Sequence, residues 1–249
     1  MSEPLLKVEQ LRKSFGGVVA TDSLDFDVMP GEIHAVIGPN GAGKTTFVAQ
    51  IAGMLKSDSG SIIFDGQDIA GKSAPERSHL GLARSFQITS VFRDFTALEN
   101  VALSIQAHAG HSFRFWKRAS TDTDLTGPAQ KMLDDVGLGD KALSLAGNLA
   151  HGQQRQLEIA MALATSPKML LLDEPTAGMG TEESETMRKF LINLKGKYSM
   201  LLIEHDMDTV FSVADRVTVL VYGRGIATGT PEEIRNNAEV RAAYLGEDE

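Results

Sequence analysis

Residues 31–53, GEIHAVIGPNGAGKTTFVAQIAG, hold three local structures in one stretch. Ile33–Ile37 is a short apolar run suited to a buried strand. Gly38-Pro39-Asn40-Gly41-Ala42-Gly43-Lys44-Thr45 then matches in full the pattern of a glycine, four intervening residues and Gly-Lys-Ser/Thr. An apolar-periodic helix follows, starting near Gly43. In that strand–loop–helix setting the glycines let successive backbone N–H groups turn inward around phosphate oxygens. The helix start aims its positive end at the same anion. Lys44 is expected to reach the outer phosphates and the Thr45 hydroxyl to ligate Mg²⁺, with Gly38 to Thr46 forming the cradle.

Two further apolar runs end in ionisable residues. KMLLLDEPTAG carries four apolar residues into Asp173-Glu174, and a buried strand ending in a carboxylate is costly unless that carboxylate meets a cation. Asp173 fits as the acid on the Mg²⁺ side of a nucleoside triphosphatase. Glu174, one residue on, points differently and is placed to polarise an attacking water. SMLLIEHDM is a similar strand ending in Glu204-His205. His205 at the carboxyl end of a core strand is placed to bridge a terminal phosphate and the water, since ligands gather at that edge of an open α/β sheet.

The rest of the chain has room for these elements. Its 249 residues allow one large domain with an inserted part, and 42% hydrophobic with 23% charged residues is ordinary globular composition. A net charge of -9 disfavours overall association with a nucleic-acid backbone. With no cysteine, disulfides, thiolate metal sites and cysteine nucleophiles are excluded. No apolar run approaches the ~18 residues a membrane span needs, and the opening MSEPLLKVEQLRK lacks a secretion-signal core. The expectation is a soluble chain, or one held at a membrane only by a partner. Val217–Val221 completes a set of four buried strands interspersed with loop and helix signals, the pattern of a mostly parallel sheet wrapped by helices. GSIIFDGQDI at 60–69 predicts a hairpin turning at Asp65-Gly66, and VYGRGIATGTP a second with Gly223 and Gly225 at the bend. From about 88 to 162 strand runs vanish and helical periodicity takes over, as in Ala129–Val136, so a helical subdomain is expected there.

The combination resembles the ATP-binding subunits of ABC transporters. The elements that carry it are GPNGAGKT at 38–45, Gln87 in ARSFQIT, the helix-opening AHGQQR, the acid pair of LLLDEP, and His205, in the family's order across nearly the whole chain. The resemblance implies an α/β fold: a P-loop NTPase core with a mostly parallel sheet, an N-terminal antiparallel β portion and an inserted helical subdomain. The core would span residues 1–87 and 163–230, the helical subdomain 88–162, and a C-terminal helical tail 231–249. It implies that Gln87 senses Mg²⁺ and water and leads into the helical subdomain. It also implies that Phe15 in RKSFGG stacks on adenine, although an ordinary core aromatic is equally compatible with the residues alone. ATP rather than GTP is assigned from the family; no Asn-Lys-x-Asp base-reading motif is present.

In this family a Leu-Ser-Gly-Gly-Gln segment usually opens a helix that contacts the γ-phosphate of ATP held by a second subunit. Here the frame is Leu149-Ala150-His151-Gly152-Gln153. Ala150 lacks the serine hydroxyl, and His151 replaces the first glycine. The implied working form is a head-to-tail pair, of two copies or of this chain with a related one, with two ATP molecules between them. A second departure is Ala177-Gly178-Met179-Gly180, where the family usually reads Ser-Ala-Leu-Asp. The variant helix start, FGGVVA, GLARSFQ and the tail near AYLGE are most similar to ATPases of bacterial importers of branched-chain and other hydrophobic amino acids. Integral membrane permease subunits at the cytoplasmic face of the inner membrane are then the direct partners, a periplasmic binding protein an indirect one, and nucleic acid none. A soluble ABC-type ATPase acting on nucleic acid or ribosomes is the alternative, but it would usually carry two cassettes or a coiled-coil insertion; an importer of another small solute is a further one. From Asn100 to Thr121 there is no acid, and Arg114, Lys117 and Arg118 cluster with Phe113, Phe115 and Trp116. Such a stretch suits a solvated helix or a contact with head groups or the permease.

Overall fold

The computed structural model describes residues 3–85, 91–108 and 123–245. In chain order it runs β1 (Leu6–Phe15), β2 (Val18–Val28), β3 (Ile33–Ile37), α1 (Lys44–Ile51), β4 (Ser59–Phe64), β5 (Gln67–Asp68), α2 (Ala74–His79), β6 (Leu82–Arg84), α3 (Ala97–His108), α4 (Thr123–Asp135) and α5 (His151–Leu163). It continues through β7 (Met169–Asp173), α6 (Thr181–Leu194), β8 (Ser199–Ile203), α7 (Met207–Val213), β9 (Arg216–Val221), β10 (Arg224–Gly229) and α8 (Pro231–Asn236), with short helical turns to Leu245.

Two sheets form. The first is antiparallel in the order β2-β1-β4-β5, and the second runs β10-β9-β3-β8-β7-β6, parallel except where β10 returns along β9. β3, β7 and β8 are buried at every residue, which is why they read as unbroken apolar runs. Their side chains alternate between two cores. Ile33, Ala35, Ile37, Leu170, Leu172 and Leu202 join a core with residues of α3 to α7. Val36, Leu171, Leu201 and Ile203 face the other way, onto α1 and the antiparallel sheet. The hairpin at 60–69 turns on Asp65 and Gly66, at φ 48° and 74°, as its Asp-Gly pair requires. The second hairpin bends at Tyr222-Gly223; Gly225 lies already within β10, so only Gly223 serves the turn.

The parallel register positions the site. Val36 and Asp173 both lie opposite Ile203, so the loop after β3, the acids ending β7 and Glu204-His205 leave the sheet at one carboxyl edge.

Beneath that edge His34 is fully buried. Its Nδ1–H donates to the Asp27 carbonyl at 2.6 Å, so in the neutral ring Nε2 accepts from the Thr218 hydroxyl at 2.8 Å. Burial, then the Arg216 guanidinium, pushes its pKa down to about 4. A buried neutral imidazole that must charge costs stability as pH falls from about 6.5 to about 4, by roughly 3 kcal/mol in total, with the full stability present above that window. Urea titrations across pH 4–7 are expected to show this acid-side slope in the parent and to lose it in His34→Gln; an equal slope in both proteins would contradict it.

Candidate active site

The phosphate loop occupies residues 38–43, between β3 and α1. Gly38 and Gly43 have φ of 151° and 102°, and a Cβ on either would come within 2.0 Å of a backbone carbonyl, of Leu220 and Ala20 respectively. Glycine is thus demanded by packing as well as by conformation. α1 starts on Gly43 without a side-chain cap, leaving its first N–H groups to a ligand. Lys44 is buried, and its Nζ donates to the Gly38 and Pro39 carbonyls at 2.5 and 3.0 Å. Burial lowers its pKa, while Glu174 and Asp173 pull it up. Thr45 is exposed on the first turn of α1, Thr46 is half-buried, and Asn40 and Gly41 are exposed at the tip of the loop.

Asp173 ends β7 almost wholly buried, and the cation it meets is Arg84, whose Nη2 lies 2.9 Å from Oδ2. Arg84 Nη1 donates to Met54 Sδ, and its buried Nε has no hydrogen-bond partner among the described residues. The sequence pointed to a cation for Asp173 but not to this one; the parallel pairing of Arg84 with Leu171 brings it there. The donor set fits Mg²⁺, which commonly takes one or two carboxylates with water and substrate phosphates rather than a dedicated protein cage. Thr45 and Asp173 supply a hydroxyl and a carboxylate for that arrangement.

Glu174 breaks from the strand in the left-handed region, at φ 48°, while its N–H donates to Ile203 O at 2.9 Å. A non-glycine residue there costs about 1–3 kcal/mol, and such strain clusters at functional sites. The turn brings Glu174 Oε1 to 3.9 Å from Nδ1 of His205, which is exposed. Phe15, at the end of β1, is 51% exposed with Lys13 Nζ 5.6 Å from its ring centre. It is therefore not a core aromatic.

Ala150 is the N-cap of α5, and Gln153 accepts from its N–H at 3.1 Å. This segment meets the stretch after β7: Gly152 N–H donates to Glu183 Oε1 at 3.3 Å, and a Cβ on Gly178 would lie 3.7 Å from the His151 ring. Ala150, Gly152, Gln153 and Glu183 line a cavity of about 380 Å³. The roles of Arg84, Glu183 and Glu204 escape motif spacing, because each acts across a tertiary contact. Gln87 and the basic-aromatic cluster with Arg114, Lys117 and Arg118 lie outside the described residues.

A family model described as ABC transporter matches residues 21–177, and one described as branched-chain amino acid ATP-binding cassette transporter matches 226–249. The high-affinity branched-chain amino acid transport ATP-binding protein LivG of Escherichia coli (strain K12) is 39% identical, over 99% of this chain and 100% of its own length. The protein of the same description named BraF, from Pseudomonas aeruginosa, is 37% identical with the same coverage. A solved ATP-binding cassette of an ABC transporter in its ADP conformation superimposes with a TM-score of 0.86 at 31% identity, covering 99% of this chain and 100% of that one. A nucleotide-free cassette from an ABC transporter gives 0.84 at 32% identity, covering 98% and 100%.

Proposed function

The chain belongs to the ABC transporter family as one of its ATP-binding cassettes, and we propose that it is the ATP-hydrolysing subunit energising bacterial uptake of branched-chain or other hydrophobic amino acids. The observation that carries the hydrolytic part is the meeting of Lys44, Asp173, Glu174 and His205 at one carboxyl edge of the parallel sheet, and the cargo is read from the full-length likeness to branched-chain amino acid transport proteins. Phe15 receives the adenine, and the cradle of Gly38, Pro39, Asn40, Gly41, Ala42, Gly43, Lys44, Thr45 and Thr46 takes the phosphates. Thr45, Asp173 and Gln87 would hold Mg²⁺, which when bound would neutralise phosphate charge. Glu174 accepts the proton of the attacking water and His205 orients that water against the terminal phosphate. Ala150, His151, Gly152 and Gln153 of a second subunit, identical or related, cover the γ-phosphate through the helix start.

Among the described residues no helix is long and apolar enough to cross a membrane. In the proposed assembly, integral permease subunits hold the chain at the cytoplasmic face of the inner membrane, with a periplasmic binding protein delivering cargo to them. In this scheme residues 1–87 and 163–230 bind nucleotide, 88–162 meet the permease and 231–249 form the tail. The test is reconstitution of this chain with its permease subunits in liposomes, adding binding protein and radiolabelled leucine, isoleucine or valine. ATP-dependent accumulation that disappears without this chain is expected. Stable permease complexes that accumulate none of the three, with ATP supplied, would reject the cargo assignment.

A further inference from the structure

Glu204, the residue that follows β8, has no solvent exposure, yet it is a carboxyl side chain. Its two oxygens serve two different segments. Oε1 accepts from the N–H of Thr176 at 2.9 Å and from the Thr176 hydroxyl. Oε2 accepts from the N–H of His205 at 3.0 Å and of Asp206 at 3.4 Å, and lies 3.8 Å from His205 Nδ1. Four donors converge on a group that only accepts, a set no glutamine can match, since half of its amide is itself a donor.

The Thr176 side of this link continues onward. The Thr176 carbonyl accepts from Met179 N–H at 3.1 Å, closing the turn that sets Gly178 beside His151. The same turn leads into α6, where Glu183 meets Gly152 N–H. Gly180 contributes no side chain; its carbonyl accepts from Ser184 N–H at 2.9 Å at the start of α6.

We propose that Glu204 is a positioning residue that locks the His205 loop to the 176–180 turn, and so ties the hydrolytic edge of the site to the helix start at Gly152. It rests on the roles given above to Glu174, His205 and Gly152. In a head-to-tail pair His205 serves the nucleotide of its own subunit and Gly152 that of the neighbour. Glu204 then joins the two half-sites within each chain.

The experiment uses the full chain as Glu204→Gln, Thr176→Val and the double variant, each checked for folding by circular dichroism. Affinity for a fluorescent ATP analogue is expected to stay within about twofold of the parent, because Lys44 and its loop are untouched, while kcat falls about 10- to 100-fold. The double variant is expected to lose no more than the worse single one, because both cut the same link. On a Glu174→Gln background, each is expected to reduce the ATP-locked pair seen by light scattering after size exclusion. A carboxylate that merely plugs the sheet would lower the melting temperature and leave kcat and pairing at parental values, and that result overturns the proposal, as do losses that multiply. Should Glu204→Gln fail to fold, Thr176→Val, which removes one hydroxyl, decides by the same readouts. Glu174→Gln hydrolysing at the parental rate would instead bring down the roles assigned to the site; Glu174→Gln inactive with a fully active Thr176→Val brings down this inference alone.

Discussion

Replacing Glu174 with glutamine is expected to lower ATP turnover by about 10³-fold while ATP still binds, since general-base catalysis contributes about 10²- to 10⁴-fold. Glutamine matches the volume and reach of the side chain that stands 3.9 Å from His205 Nδ1, but its amide cannot take a proton from water. The backbone at φ 48° and the hydrogen bond from its N–H to Ile203 O do not involve the carboxyl group, so the site keeps its shape. Because ATP stabilises whichever state binds it, the proposed pair is expected to stay closed when it cannot hydrolyse ATP. The check is twofold: phosphate release under saturating ATP, and light scattering after size exclusion with ATP present. Turnover above about a third of the parental rate would contradict the role of Glu174 as base.

Lys44→Ala is expected to weaken ATP binding by about 10²- to 10³-fold, equivalent to roughly 3–4 kcal/mol. Lys44 is a buried cation facing Asp173 and Glu174, so its removal leaves two carboxylates near the place a polyanion must occupy. A unit charge pair about 4 Å apart at the effective dielectric of a protein surface is worth about 4 kcal/mol, which the desolvation already borne by the lysine does not cancel on binding. The same change also strips the Gly38 and Pro39 carbonyls of a donor. Isothermal titration of ATP, with melting curves recorded alongside, separates lost phosphate contact from a disordered loop. An unchanged affinity in a folded variant would contradict phosphate binding by this loop.

Much of the architecture was legible because it is written in local spacing. The apolar runs that became β3, β7 and β8 are buried on both faces, so no alternation was needed to recognise them. Asp65-Gly66 turned where an Asp-Gly pair should. Phe15 was ambiguous between core and base contact, and only its exposure at the end of β1 took it out of the core. The helix start after Gly43 followed from glycine placement and the apolar period, whereas the one after Ala150 came from the family resemblance.

The chain's own residues, taken in order, were enough to place a phosphate loop, an acid pair at one strand end and a histidine at another. Each of these is a backbone conformation or a burial pattern set by residues within a few positions of one another. What needed three dimensions was the set of contacts between segments far apart in the chain. Arg84 reaches Asp173 across 89 positions, Glu204 holds Thr176 across 28, and Glu183 meets Gly152 across 31. Sheet order and helix packing decide such contacts, because a buried charge or N–H group must find a partner wherever the assembled fold happens to supply one.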